Sequence, residues 1–288
     1  MVNKVGIFYM YWVRDWADDF HPYIDKVADL GFDIIELQTG TIESIGPAGR
    51  KELKAHLDER GLDFTSVIGL PQEYDVSSED KATRERGIAY MTDLCKAMGE
   101  LGGGIVGGIT YSYWPATLPP GVTDKRPYFD RSVESMKRMA QAAADHNVIL
   151  AMEVVNRFEQ YMMSTCQEAL DYCAAVGHSA VNVMLDTFHL NIEEDFIGEA
   201  IERAGDQLGH FHVGENNRRP PGYGHIPWTE VFNALRTINY QGPIVMEPFV
   251  TPGGAVGEAI KIYRDQTAPI GVDEDARRAL EFVRGLMK

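Results

Sequence analysis

Cysteine is scarce: Cys95, Cys166 and Cys173 are the only three in 288 residues, and no two of them form a CxxC pair. An odd, scattered set argues against a disulfide framework and fits reduced thiols in a cytoplasmic protein. Positive charge is also in short supply, with 27 Lys+Arg against 43 Asp+Glu and a formal charge of −16. No basic run interrupts this background, and Arg218-Arg219 is the densest pair of interest. A protein that grips nucleic-acid phosphates needs a surplus of Lys and Arg on some face, so nucleic acid is not an expected partner. An anionic membrane surface is excluded on the same ground. No stretch approaches the roughly 18 consecutive apolar residues of a membrane span. The first apolar stretch is too short and too aromatic for a secretory signal, and no N-x-[ST] sequon occurs. Pro/Ser-rich linkers and low-complexity tracts are missing as well, so nothing marks a domain boundary.

What remains is a chain with 44% hydrophobic and 10% aromatic residues, enough for a sizeable core. Short strand-like runs alternate with longer amphipathic stretches along its whole length. The runs cover 4–10, 33–38, 63–70, 104–110, 148–155, 181–190, 209–215 and 243–249, and most are continuously apolar at their centres. Strands covered on both faces read this way. Helical patterns follow at 16–30, 47–60 and 164–176, each with a glycine just beyond its end: Gly31, Gly61 and Gly177. A further helix opens near Ser78, Glu79 and Asp80, and others cover 127–146, 229–239 and 273–287. Eight strand–helix units of about 31 residues match the roughly 250 residues of a (β/α)8 TIM barrel. An open doubly wound sheet usually closes on fewer strands. Residues 1–288 therefore read as a single α/β barrel domain with a C-terminal helix.

In such a barrel, functional groups sit at the carboxyl ends of the strands. Four ligand-type side chains fall there: Glu153 late in strand five, Asp186 in strand six, His212 in strand seven and Glu247 in strand eight. Each follows an apolar run that would bury it, and a buried carboxylate needs a partner. Four adjacent strands delivering such groups at matching depth would converge near the barrel axis, where a divalent cation is the physical candidate. Three carboxylates and an imidazole leave two positions of six-coordinate Mn2+, Mg2+ or Co2+ for substrate oxygens. Zinc fits less well, because its catalytic sites usually use three protein ligands.

Polar neighbours surround this set. Glu159, His189 and Arg218 follow the ligand-type residues and suit a hydroxyl-rich ligand. Phe8, Trp16, Trp114 and Phe249 fall at strand ends or in the loops after them, where they could pack against a carbon chain. Other signals are weaker. Gly102, Gly104 and Gly107 spell G-x-G-x-x-G, but between a helix and a strand, the reverse of the dinucleotide fingerprint. Pro252-Gly253-Gly254 stands where barrels often bind phosphate, yet a turn accounts for it. His210 and His225 are possible extra ligands; His21, His56, His146 and His178 read as solvated surface. Cys166 and Cys173 read as packing residues.

At these residues the chain resembles the D-tagatose/D-psicose (D-allulose) 3-epimerases, within the xylose-isomerase-like barrels. The likeness runs from KVGIFYMYW (4–12) through GLPQEYD (69–75), SYWP (112–115) and DKRPY (124–128). It continues in AMEVVNRFEQ (151–160), LDTFHLNIEE (185–194), GHFHVGENNR (209–218), PPGYG (220–224) and IVMEPF (244–249). The resemblance implies one divalent metal ion per subunit, usually Mn2+, Co2+ or Mg2+, held by Glu153, Asp186, His212 and Glu247. It also implies Glu153 and Glu247 as the catalytic acid/base pair, and Glu159, His189 and Arg218 as groups holding a small-molecule ketose. A homodimer or homotetramer is implied too. Val67 stands where the tagatose-type enzyme has a cysteine, a difference that bears on sugar preference.

The chemistry agrees. Inverting C3 of a ketose means removing a proton next to the C2 carbonyl and returning one to the opposite face. Two carboxylates on either side of a cis-enediolate can do this, with a cation stabilising the developing charge. Ligand spacing alone does not separate an epimerase from an aldose–ketose isomerase, hydroxypyruvate isomerase or inosose dehydratase. A metal-dependent endonuclease on a related barrel would want a basic rim, which the charge opposes. A non-catalytic sugar-binding barrel would have no need of both acid/base glutamates.

Overall fold

The computed structural model describes residues 1–16 and 19–288. Eight parallel strands close into a barrel in sequence order: β1 (Val5–Phe8), β2 (Ile34–Gln38), β3 (Asp63–Leu70), β4 (Gly104–Tyr113), β5 (Val148–Glu153), β6 (Val181–Asp186), β7 (Leu208–Val213) and β8 (Ile244–Met246). The circle closes where β1 pairs with β8, Val5 opposite Ile244 and Ile7 opposite Met246. The strands are buried almost throughout, which is why their apolar runs are continuous rather than alternating.

Helices cover the outside: α1 (His21–Asp29), α2 (Thr39–Ser44), α3 (Gly46–Arg60), α4 (Lys81–Glu100), α5 (Arg126–Asp145), α6 (Cys166–Val176), α7 (Thr187–Glu193), α8 (Ile197–Ala204), α9 (Trp228–Thr237), α10 (Gly254–Ala259) and α11 (Val272–Leu286). Their ends follow local chemistry. Asp80 caps α4 by accepting from the backbone N–H groups of Ala82 and Thr83. Thr165 and Glu168 form a reciprocal capping box at α6. The C-terminal α11 ties back to the start of the chain: Asp273 accepts from Trp12 Nε1 at 2.7 Å and from Lys26 Nζ at 2.7 Å.

Several boundaries differ from the sequence pattern. The first helix begins at His21 rather than at residue 16, and the Ala17 and Asp18 part of that expectation lies outside the described residues. The first strand stops at Phe8, and Tyr9–Tyr11 form a 3-10 turn. The fourth strand runs on to Tyr113, and the fifth stops at Glu153. Strand six ends at Asp186 instead of Leu190, a correction that changes the type of element. The Asp186 side chain accepts from Phe188 N at 2.6 Å, capping α7 and converting an apolar run into a helix. This switch moves His189 from a strand to a helix. The short α2, α8 and α10, of six, eight and six residues, were not read in the sequence.

Inside the barrel, below its C-terminal mouth, Val67, Met184 and His210 fill the axis. A Cβ on Gly107 would stand 2.7 Å from Met184 Sδ, so glycine there lets the layer close. Among the described residues no helix is long and apolar enough to cross a membrane.

Candidate active site

The four ligand-type residues do converge. Glu153 ends β5, Asp186 ends β6, His212 lies one residue before the end of β7, and Glu247 follows β8 directly. All four are buried, and one donor atom from each lies within 4.8 Å of the others. His212 Nδ1 is 3.5 Å from Glu247 Oε2 and 3.8 Å from Asp186 Oδ2, with no aligned hydrogen-bond partner. Arg218 reaches into the same cluster: its Nη1 lies 2.7 Å from Asp186 Oδ2 and 2.9 Å from Glu247 Oε2. The guanidinium also lies over the Phe188 ring at 4.1 Å, on a residue with φ of +61°.

Charge follows geometry. Burial, and then the neighbouring Glu247 carboxylate, push Glu153 well above the usual carboxylate range. Burial acts the same way on Asp186, but Arg218 foremost, then His189 and His212, hold it well below. Burial lowers the His212 pKa, while Glu36 and Glu247 overrule it and raise it well above the ordinary value. A field that favours a proton beside Nδ1 also favours a cation there.

A cavity of about 360 Å3 opens over this cluster. Glu153 and Glu247 line it, whereas Asp186 and His212 lie behind that lining, fully buried. Glu159, His189, Arg218, Phe8, Trp16, Trp114 and Phe249, all singled out in the sequence, line it too. Glu159 is held in place by Trp114 Nε1, which donates to Oε2 at 3.0 Å, and by Asn156 Nδ2, which donates to Oε1 at 3.0 Å. Burial would raise its pKa, but His189 and Arg218, with those two hydrogen bonds, leave it below the ordinary value. Burial, and then Arg218, lower the pKa of His189 and keep its ring neutral. Val67, Ile109 and Ile260 give the cavity an apolar side that the sequence pattern did not reveal, apart from the departure at Val67.

Three functional neighbours escaped sequence reasoning. Glu36, in the middle of β2, is fully buried and contacts His212 Nε2 through Oε1 at 2.6 Å. Thr65 Oγ1 donates to Glu36 Oε2 at 2.8 Å, and Asn156 holds His189. The signal for Glu36 was present: a lone carboxylate inside the apolar run DIIELQ needs an internal partner. His210 is not a fifth member of the mouth cluster, because its Nε2 turns to Glu36 Oε2 at 2.7 Å. His225 is exposed and stands apart from the site. His21 and His56 are half-buried and paired with Asp19 and Asp25, not freely solvated. Asp15 Oδ1 accepts from Ala255 N at 3.1 Å, so a carboxylate already occupies the start of the six-residue α10, and the Pro252-Gly253-Gly254 turn remains a turn.

The donor set fits a divalent cation. Three hard carboxylates and an orphaned, buried imidazole nitrogen face one another. The imidazole's other nitrogen meets a carboxylate, the second contact usual for a metal-bound histidine.

The family model of xylose isomerase-like TIM barrels matches residues 24–266. The D-psicose 3-epimerase of Ruminiclostridium cellulolyticum is 44% identical over 99% of this chain and 98% of its own length. That of Enterocloster bolteae is 41% identical over 98% of this chain and 95% of its own. The chain belongs to the D-psicose 3-epimerase family. A solved structure of a D-psicose 3-epimerase with D-tagatose, from Clostridium cellulolyticum, superposes with a TM-score of 0.95 at 44% identity, covering 99% of both chains. The likeness spans the whole barrel, including every strand that contributes to the cluster.

Proposed function

We propose that this protein is a metal-dependent ketose 3-epimerase acting on free ketohexoses, interconverting D-fructose with D-psicose and D-tagatose with D-sorbose. The observation that carries the reading is the pair Glu153 and Glu247: both line the cavity beside a cluster of cation-type donors. Membership of a family whose relatives are named 3-epimerases supports it, and makes this chain a carbohydrate isomerase.

Glu153, Asp186, Glu247 and His212 Nδ1 would hold the cation. When bound, it supplies polarisation of the C2 carbonyl and compensation for charge on the cis-enediolate. Mn2+ is the preferred ion, with Co2+ or Mg2+ as substitutes, because the donors are mostly hard oxygens with one imidazole. Glu247 and Glu153 act as base and acid on opposite faces of C3. Three carboxylates around one dication leave a single negative charge, which the Arg218 guanidinium beside Asp186 and Glu247 balances. Burial raises the pKa of Glu153 in the cation-free site, which assigns it the role of acid and leaves Glu247 as base. Neutral His189 and the Arg218 guanidinium orient the carbonyl and hydroxyl oxygens, with Glu159 accepting from a hydroxyl. Phe8, Phe249, Trp16 and Trp114 pack against the carbon chain.

The enzyme is taken to be a cytoplasmic homodimer or homotetramer. Three free cysteines, all buried, suit a reducing compartment. Exposed Phe158, Phe196 and Tyr263 leave apolar surface for subunit contact, which light scattering would test.

The deciding experiment incubates the protein and Mn2+ with D-fructose, D-tagatose or L-ribulose in heavy water and separates the sugars. C3 epimers carrying deuterium at C3 are expected. Deuterium at C1, with an aldose product, would establish an aldose–ketose isomerase instead.

A further inference from the structure

We infer that Glu36 is a positioning residue that fixes the tautomer of His212 and so sets how tightly the mouth cluster holds its cation. The inference rests on the metal-dependent reading above, but it concerns a carboxylate that lines no part of the cavity and meets the cluster only through His212, from the opposite side of the barrel.

Glu36, His210 and His212 are all fully buried, below the reach of solvent. An ionised carboxylate only accepts hydrogen bonds, so each polar atom facing Glu36 must bring a hydrogen. Thr65 Oγ1 brings one to Oε2 at 2.8 Å, and His210 Nε2 brings a second to the same oxygen at 2.7 Å. That leaves Oε1 for a single partner, His212 Nε2, an ion-pair contact at 2.6 Å in which the N–H is not aligned as in an ideal hydrogen bond. In the neutral, cation-binding form of His212 the one proton must then sit on Nε2, and the Nδ1 lone pair faces Asp186 and Glu247. The reverse tautomer would aim an N–H at the cation position and leave Nε2 without a hydrogen against Oε1.

The register makes this arrangement rigid. Glu36 pairs directly with Thr65 across β2 and β3, and with Phe8 across β1 and β2. His210 and His212 alternate on β7, with ring centroids 4.9 Å apart, so that both edges reach one carboxylate. His210 Nδ1 has no partner and no solvent. A neutral His210 tolerates that, whereas a charged ring would leave a buried N–H donor unmet. Glu36 thus reads as one negative charge with three fixed donors, two of them holding it in place and the third being the residue it orients.

Glutamine at this position presents an amide that can donate. Turned one way it faces Nε2 of His212 with an N–H, and the imidazole proton moves to Nδ1, where it blocks the cation.

The test titrates Mn2+ into wild type, Glu36→Gln and Thr65→Val, following free Mn2+ by electron paramagnetic resonance. The 15N shifts of the imidazoles are recorded on the metal-free proteins at a pH high enough that the His212 ring carries a single proton, the form in which a tautomer is defined. Glu36→Gln should lose about 10–100-fold in Mn2+ affinity, and its His212 should move from the Nε2–H towards the Nδ1–H tautomer. Thr65→Val, which keeps the carboxylate but loosens it, should show a smaller loss in the same direction and serves alone if Glu36→Gln does not fold. Unchanged affinity in the folded variants, beside a wild type that binds Mn2+, overturns the inference and leaves the epimerase reading standing. Lost affinity with His212 still an Nε2–H tautomer overturns the inference as well. A wild type that binds no Mn2+ overturns the metal-dependent reading and this inference with it.

Discussion

Asn156 meets the Nδ1 of His189 twice, with its backbone N–H at 3.2 Å and its side-chain Nδ2 at 2.8 Å. Arg218 Nη2 stands at the other ring nitrogen, 3.0 Å from Nε2. A neutral imidazole cannot accept at both nitrogens. The backbone N–H cannot turn away, so Nδ1 accepts; Nε2 then carries the hydrogen, which the donor-only Arg218 guanidinium does not accept, leaving it for an oxygen in the cavity that both residues line.

Asn156→Asp should therefore disturb the ring. The Nδ2 donor to Nδ1 is lost, and the carboxylate in its place favours a charged imidazolium over the neutral ring the site uses. A fall of about ten- to a hundredfold in kcat/KM is expected, the worth of one or two misdirected hydrogen bonds. Circular dichroism should be unchanged. Wild-type kinetics in a folded variant would remove His189 from the substrate's donors.

Glu153→Gln and Glu247→Gln each keep shape and lose the ability to move a proton. Turnover should fall by about 10²–10⁴-fold, the usual contribution of a positioned acid or base. The two variants differ in a second way: each should still exchange label at C3 from the one face its remaining carboxylate serves. Full epimerisation by either variant would show that another group carries the proton.

Removing the cation should destabilise as well as inactivate. Without it, three carboxylates share a buried site with Arg218 and His212 as the nearby positive partners. Adding Mn2+ at a hundred times its Kd should stabilise the chelated protein by about 2.7 kcal/mol, read as a rise of several degrees in Tm. A melting curve indifferent to chelator and Mn2+ would count against a cation at this cluster.

Glu159 supplies a pH signature. Its folded pKa is below the ordinary value despite burial, because His189 and Arg218 favour the charged form. The stability it contributes is fully present above its unfolded pKa of about 4.3 and is lost as pH falls through the folded value. Urea unfolding should show a constant gap between wild type and Glu159→Gln above roughly pH 5, about a unit above that unfolded value, narrowing as acid is added. A gap that widens in acid would mean that the pKa is raised on folding, contrary to the hydrogen bonds from Trp114 and Asn156.

The mouth of the barrel was legible because each contributing strand announces itself locally. An apolar run that ends in Glu, Asp or His marks both the strand and its functional tip, as in 148–153 for Glu153 and 181–186 for Asp186. The aromatic lining was legible for the same reason, since Phe8 and Phe249 stand just where β1 and β8 run out. Strand six was misread past Asp186 because apolar Phe188 and Leu190 continue the pattern, while the deciding contact is a side chain folding back onto its own backbone.

The order of the strands and of the longer helices, the acidic character and the set of ligand-type side chains were determined by the sequence alone, because each depends on residues adjacent in the chain. Which nitrogen of His212 faces the cluster was decided only by tertiary structure. Glu36 and His212 lie on β2 and β7, and nothing local to either implies the other. Only closure of the sheet into a cylinder, excluding water from its axis, brings that carboxylate and that imidazole into contact and leaves each as the other's partner.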